Sequence, residues 1–354
     1  MVLYRPAPSI STILEGVRTP ETLVGNAALW LRIRKWIARS RENMSKYVAL
    51  LSLSTMLVGC SQKSQNAAAT DARILEDGSS SLLDGSNPLV AGRPYTLKVP
   101  SGYSANTTTP LLIVLHGYGA TAAVTDSYLG ATALSTSKTF LLALPEGTTD
   151  TMGNSFWNAT DACCNLYGST VDDVAYLNAV VDDVQAKYNV DSKRVYVVGH
   201  SNGGFMANRL ACDSSARFAG IASLAGAQWK DATKCTPAGP VSVVQIHGDA
   251  DASISYNGGT TAVGGTAIAY PSAHDTVATW ATKNGCTPGI QSSGTTLDLE
   301  ATLPGAETAG DRFSGCPANG AVELWTIHGG SHIPNFQPTF LSTVYDFLSA
   351  HPKP

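Results

Sequence analysis

Six short stretches of this chain share one design, an apolar run that closes on glycine. They read "PLLIVLHG" (110–117), "FLLALPEG" (140–147), "VYVVGHSNGG" (195–204), "GIASLAG" (220–226), "VSVVQIHG" (241–248) and "VELWTIHG" (322–329). Strands that are apolar on both faces belong in the interior of a parallel sheet, covered above and below. Helical spacing supplies the cover: Val174, Leu177, Val180, Val181 and Val184 recur on one face of 172–190, with acidic residues in the first turn. "NGGFMANRLACD" leaves the third run as a helix, and an amphipathic helix closes the chain near 337–349. "RPYTLKVP" (93–100) alternates like a half-exposed strand. Strands alternating with helices predict an α/β fold, a mostly parallel sheet with helices on both faces. With 44% hydrophobic and 14% charged residues, no internal repeat and no linker between 89 and 354, this region is expected to be one domain.

The amino end follows different rules. From Met44, a lysine precedes an apolar stretch (Tyr47 to Val58) and then Leu57-Val58-Gly59-Cys60. Twelve apolar-rich residues are short for a spanning helix and suit the hydrophobic region of a signal peptide. The last four resemble the bacterial lipobox, whose cysteine is lipidated; that resemblance implies a lipid anchor at Cys60. Ser61 behind it fits outer-membrane sorting, the alternatives being a secreted or periplasmic protein. Residues 1–43 carry Arg32, Arg34, Lys35, Arg39 and Arg41 upstream of a complete signal, and are expected to be an annotation extension or a long leader. Residues 61–88, rich in Ser, Ala, Asn, Asp and Gly, read as a flexible tether.

The overall net charge of −4 hides an asymmetry, because from Ser61 onward 15 Lys and Arg face 24 Asp and Glu. Such a surface offers no footing for nucleic acid, and contact with a membrane is expected only through the lipid anchor. Beyond Cys60 there are six cysteines: Cys163, Cys164, Cys212, Cys235, Cys286 and Cys316. An even number in an exported chain favours disulfides over metal ligands. Cys212–Cys235 and Cys286–Cys316 each bracket one segment between predicted elements. Six cysteines allow fifteen connectivities among which the sequence does not choose; adjacent Cys163 and Cys164 would need an unusual vicinal bridge, and their role is left open.

Gly199-His200-Ser201-Asn202-Gly203 fits G-x-S-x-G, entered by a buried strand and left by a helix. That setting suits a strained turn presenting a nucleophilic serine, with the positive end of the helix behind it. An inert serine in a tight turn is the structural alternative. A serine hydroxyl needs a base, and the base needs an orienting acid. Candidates follow in the order acid, then histidine, each after a later strand: Asp249 and Asp251 in "HGDAD", His328 and His332 in "HGGSH". Zinc on His328 and His332 lacks an H-E-x-x-H pattern, and no metal or organic cofactor is required.

Taken together, "LHGYGA", "FWNATDACCN", "VDDVAYL", "GHSNGG", "HGDADASISYNGG" and "GGSH" span about 115–332. In this order they resemble the polyhydroxybutyrate depolymerase and feruloyl esterase-like family of α/β-hydrolases. The resemblance implies a serine esterase with Ser201 as nucleophile, Asp251 as acid and His332 as base. Asp249 is then a turn-stabilising side chain and His328 a strand-end histidine. One oxyanion-hole N–H is expected at Asn202, just after the nucleophile, and the resemblance implies the second at Tyr118, with Gly117 allowing close approach and His116 either buttressing the loop by a hydrogen bond or taking a chemical role. Trp157 and Trp229, on loops expected near Ser201, are candidate substrate-binding residues, with packing roles as the alternative. Asp172 and Asp173 are assigned to helix initiation.

The substrate expected is a small or oligomeric ester. The chain stops at Pro354, soon after His332, without the appended binding domains usual in secreted depolymerases. This favours soluble oligoesters or feruloylated and acetylated plant polysaccharide over crystalline polyester. Amidase or peptidase activity on the same triad, or an inactive surface-binding module, are the competing readings.

Overall fold

The computed structural model describes Ser81, Leu82 and residues 87–354. The leader 1–43, the signal segment 44–60 with Cys60, and most of the 61–88 tether lie outside the described residues. The first elements are β1 (Ser81–Leu82), α1 (Pro88–Gly92), β2 (Thr96–Lys98) and β3 (Thr109–Leu115). Helices α2 (Ala122–Leu129) and α3 (Ala131–Lys138) lead into β4 (Leu141–Leu144) and a small hairpin, β5 (Thr148–Thr149) with β6 (Ser155–Phe156). Then come α4 (Asp173–Lys187), β7 (Val190–His200), α5 (Asn202–Asp213), β8 (Gly220–Leu224) and β9 (Ser242–Gly248). A second hairpin, β10 (Gly259–Val263) with β11 (Thr266–Tyr270), precedes α6 (Ala273–Asn284). The chain closes with β12 (Ile290–Leu297), β13 (Thr308–Phe313), β14 (Val322–Ile327) and α7 (Phe340–Ser349).

The main sheet runs β1-β2-β4-β3-β7-β8-β9-β14-β13-β12. Its six central strands, β4 to β14 in that order, are parallel, and they contain the apolar runs of the sequence. Both edges are antiparallel. Two edge features depart from expectation. Thr96–Lys98 is a shorter strand than 93–100, with α1 ending at Gly92 and Arg93 serving as its C-cap just ahead. Ser81 and Leu82, within the expected tether, pair with Leu97 and Thr96.

Period-two alternation gives each central strand two buried faces. Leu111, Ile113 and Leu115 pack in one cluster with Leu177 and Val180 of α4 and Phe205 of α5. Leu112 and Val114 pack in another with Ala131 of α3 and with Phe340 and Val344 of α7. Fully burying each such side chain contributes about 1.5–3 kcal/mol, so the sheet core is a rigid base for the loops. Disulfides join Cys163 to Cys164 in the loop after β6, Cys212 of α5 to Cys235, and Cys286 beyond α6 to Cys316 beyond β13. The carboxyl ends of β3, β7, β9 and β14 carry the loops that matter here, as open parallel sheets generally place their sites.

Candidate active site

The sharpest turn lies between β7 and α5. Ser201 has φ 54° and ψ −118° there, a left-handed conformation that non-glycine residues rarely adopt and that costs about 1–3 kcal/mol. Its N–H donates to the Leu224 carbonyl at 2.7 Å, which ties the turn to β8. The glycines on either side are sterically required. A Cβ on Gly199 would stand 2.0 Å from the Gly203 carbonyl oxygen, and one on Gly203 would stand 2.3 Å from that of Leu115.

The other two expected triad members arrive from β9 and β14. His332 Nε2 lies 2.9 Å from Ser201 Oγ, and His332 Nδ1 lies 2.7 Å from Asp251 Oδ2. Asp251 Oδ1 accepts the N–H groups of Ser253 at 2.7 Å and Ile254 at 2.9 Å. Burial alone would raise the Asp251 pKa, but hydrogen bonds from His247, His332 and the Ile254 N–H hold it well below the usual carboxylate range. The acid therefore stays ionised. Since a carboxylate only accepts, His332 carries its proton on Nδ1 and leaves Nε2 free to accept from the Ser201 hydroxyl.

Asp249 and His328 pair with each other instead, at 2.9 Å, and Asp249 also accepts the Gly329 N–H at 2.7 Å. The pair staples the acid loop to the base loop. These loops already touch closely, since a Cβ on Gly248 would stand 2.1 Å from the Gly330 carbonyl oxygen.

The loop after β3 comes up beside the serine. A Cβ on Gly117 would meet Ser201 Cβ at 3.4 Å. The Gly119 N–H is taken by Ser155 and that of Ala120 by Gly117, while among the described residues no acceptor meets the Tyr118 N–H. Asn202 is the first residue of α5, so its N–H has no acceptor within the helix. His116 is buried, donates from Nδ1 to the Gly117 carbonyl at 2.8 Å, and accepts the Gly147 N–H on Nε2 at 2.9 Å. That pattern fixes one neutral tautomer, and burial lowers the His116 pKa.

The two candidate substrate-binding tryptophans take the packing places that were their stated alternative. Trp157 is fully buried, its indole N–H donates to the His116 carbonyl at 3.0 Å, and its ring stacks on Tyr176. It supports the loop and has no face for substrate. Trp229 is 8% exposed and lines a shallow depression of about 390 Å³ with Lys230, Pro271 and Asp275 against α6, a cavity whose lining does not include Ser201. Asp172 does cap α4, accepting from the Ala175 N–H at 2.9 Å. Asp173 does more than start the helix: its buried carboxylate pairs with Arg93 at 2.7 Å and accepts the Asn158 N–H at 2.6 Å.

Two histidines were not singled out from the sequence. His200 Nε2 donates to the His332 carbonyl at 2.8 Å, and burial pushes its pKa down to about 4, so it is neutral at ordinary pH. His247 lies 3.3 Å from Asp251 Oδ2 and 2.8 Å from the Ile254 carbonyl through Nε2, while its Nδ1 meets the Gln245 amide at 3.2 Å. The signal for the second was the polar pair Gln245-x-His247 inside an apolar strand, two residues apart and so on one face.

Comparison with known proteins agrees with this geometry. Residues 102–264 match the Phospholipase/Carboxylesterase family. NocK of Nocardia uniformis subsp. tsuyamanensis, a protein named as an esterase, is 32% identical over 251 residues, covering 69% of this chain and 72% of its own length. Feruloyl esterase B of Piromyces equi is 29% identical over 244 residues, covering 68% of this chain and 42% of that longer protein. The solved structure of an acetyl xylan esterase from Aspergillus awamori superposes with a TM-score of 0.51 over 77% of this chain and 98% of that one; at 15% identity it speaks for the fold alone. A serine, an imidazole and a carboxylate in one row, on a sheet of this order and with these relatives, place the chain among the esterases of the α/β-hydrolase fold, to which it belongs as a carboxylic ester hydrolase.

Proposed function

We propose that Ser201 is the nucleophile, His332 the general base and Asp251 the orienting acid, with the N–H groups of Tyr118 and Asn202 forming the oxyanion hole. The observation that carries this reading is the continuous row from Ser201 Oγ to His332 Nε2 (2.9 Å) and from His332 Nδ1 to Asp251 Oδ2 (2.7 Å). His332 takes the serine proton as Oγ attacks the ester carbonyl, and the anionic Asp251 stabilises the imidazolium. The oxyanion is held by the N–H groups of Tyr118, in the loop after β3, and of Asn202, at the positive amino end of α5. His332 returns its proton to the leaving alcohol, which departs from an acyl-Ser201 intermediate. A water deprotonated by His332 then attacks that acyl group and frees the acid.

The substrate class we propose is a feruloyl or acetyl ester on plant polysaccharide. This is supported by relatives named as a feruloyl esterase and as a bifunctional acetylxylan esterase/xylanase, and by a nucleophile on an accessible turn: Ser201 is half-buried, and Ile333 beside the base is 64% exposed. A panel of methyl ferulate, acetylated xylan and a 3-hydroxybutyrate oligomer, assayed with the full chain, tests it. Higher kcat/KM on the first two is expected. A clear preference for the hydroxybutyrate oligomer would transfer the enzyme to the polyester side of its family.

Export, with lipidation at Cys60 and an outer-membrane location, is proposed from the segment 44–60 and from three disulfides, which persist in oxidising compartments. Metabolic labelling with a fatty acid should mark the full chain and miss a Cys60→Ala variant. Equal labelling of both would remove Cys60 as the anchor.

A further inference from the structure

The two proposed oxyanion donors sit on segments distant in sequence, the loop after β3 and the first turn of α5. Their separation must be fixed closely, because such donors act at about 2.7–3.1 Å from the developing charge. One residue outside both segments touches each of them. The backbone N–H of Trp157 donates to Asn202 Oδ1 at 2.7 Å, and the Trp157 carbonyl accepts from Asn202 Nδ2 at 3.0 Å. The Asn202 side chain is thereby bound at both ends, one residue beyond the nucleophile. On its other side, the Trp157 indole N–H donates at 3.0 Å to the His116 carbonyl, one peptide before the Tyr118 N–H. The His116 and Trp157 rings also lie 4.9 Å apart.

Trp157 is itself held. Its ring stacks on Tyr176 at 6.5 Å, with the Arg93 guanidinium 5.9 Å from its centre. Both Trp157 and Asn202 are completely buried, so no water competes for these bonds.

We propose that Trp157 is a positioning residue that sets the spacing of the two oxyanion-hole N–H groups, through its indole on the Tyr118 arm and its backbone on the Asn202 arm. The inference rests on reading those two N–H groups as the hole. A looser hole binds the ground-state ester almost as well but stabilises the tetrahedral oxyanion less, so the loss falls on kcat and not on KM. A tryptophan serving only the core would be replaced without loss by a ring of the same shape lacking the N–H.

That ring is available. Incorporating 3-benzothienylalanine at 157 keeps the bicyclic shape and the backbone bonds to Asn202, and substitutes sulfur for the N–H. The expected result with p-nitrophenyl acetate is an unchanged KM and a kcat lower by about tenfold. Affinity for phenylboronic acid, whose tetrahedral adduct on serine presents an oxygen to the hole, should weaken by the same factor, with Tm lower by only a few degrees because the buried His116 carbonyl loses its donor. A Trp157→Phe variant should lose more kcat and some Tm, since it also empties volume. Unchanged kcat and boronate affinity in the benzothienyl protein would overturn the proposal, as would a loss confined to KM. Wild-type enzyme binding phenylboronic acid no more tightly than Ser201→Ala would instead sink the reading of the hole itself, and this proposal with it.

Discussion

Ser201→Ala is expected to lower kcat on p-nitrophenyl acetate by about five to six orders of magnitude while the protein stays folded. In the proposed mechanism the hydroxyl forms the acyl bond, and the neighbouring side chains in the site are already engaged. Asp249 is paired with His328, and His200 and His247 are bound to carbonyl oxygens. The fold should tolerate the change well. Alanine keeps the backbone N–H that donates to Leu224, and the substitution deletes a single side-chain hydrogen bond, worth about 1 kcal/mol. Steady-state turnover and a thermal melt on the same preparation check both halves. Turnover within tenfold of wild type would remove Ser201 from the chemistry.

Asp251→Asn should cost about 10⁴-fold in kcat, the scale seen when a triad carboxylate becomes an amide. The arrangement of donors explains why the loss should be this severe. Oδ1 already accepts two backbone N–H groups, so an amide would keep its oxygen there and turn its NH₂ toward the Oδ2 side. His332 Nδ1 and His247 Nε2 both face that side, at 2.7 and 3.3 Å. The amide would donate to His332 Nδ1, push the proton to Nε2, and leave the imidazole unable to accept from serine. The same substitution also sets donors against each other in a buried site, so Tm should fall along with kcat. A kcat within tenfold of wild type would mean that the carboxylate does not orient the base.

The layout of the sheet was legible because its central strands are apolar on both faces, and that pattern has few other uses. That Ser201, Asp251 and His332 meet in one row was legible too, since each follows a strand and the glycines lie where backbones nearly collide, as at Gly199, Gly203 and Gly248. The edges were less clear. β12 is mostly exposed and made of Gln, Ser, Thr and Gly, so neither alternation nor an apolar run announces it. The tryptophans show a different limit. A loop tryptophan looks the same in sequence whether its indole meets substrate or a carbonyl, and only the partner, His116 O for Trp157, separates the two. His200 was hidden by its place inside the motif, where the neighbouring serine explains the whole pentapeptide and leaves the hydrogen bond to His332 unsuspected.

The measurement that bears most directly on the triad is the site of covalent capture. Wild-type protein treated with a fluorophosphonate and digested for mass spectrometry should carry one adduct, on Ser201, and should lose esterase activity in step with its formation. His332→Ala should label far more slowly at the same residue. An adduct at another serine, or full ester turnover after Ser201 has been modified, would contradict the account.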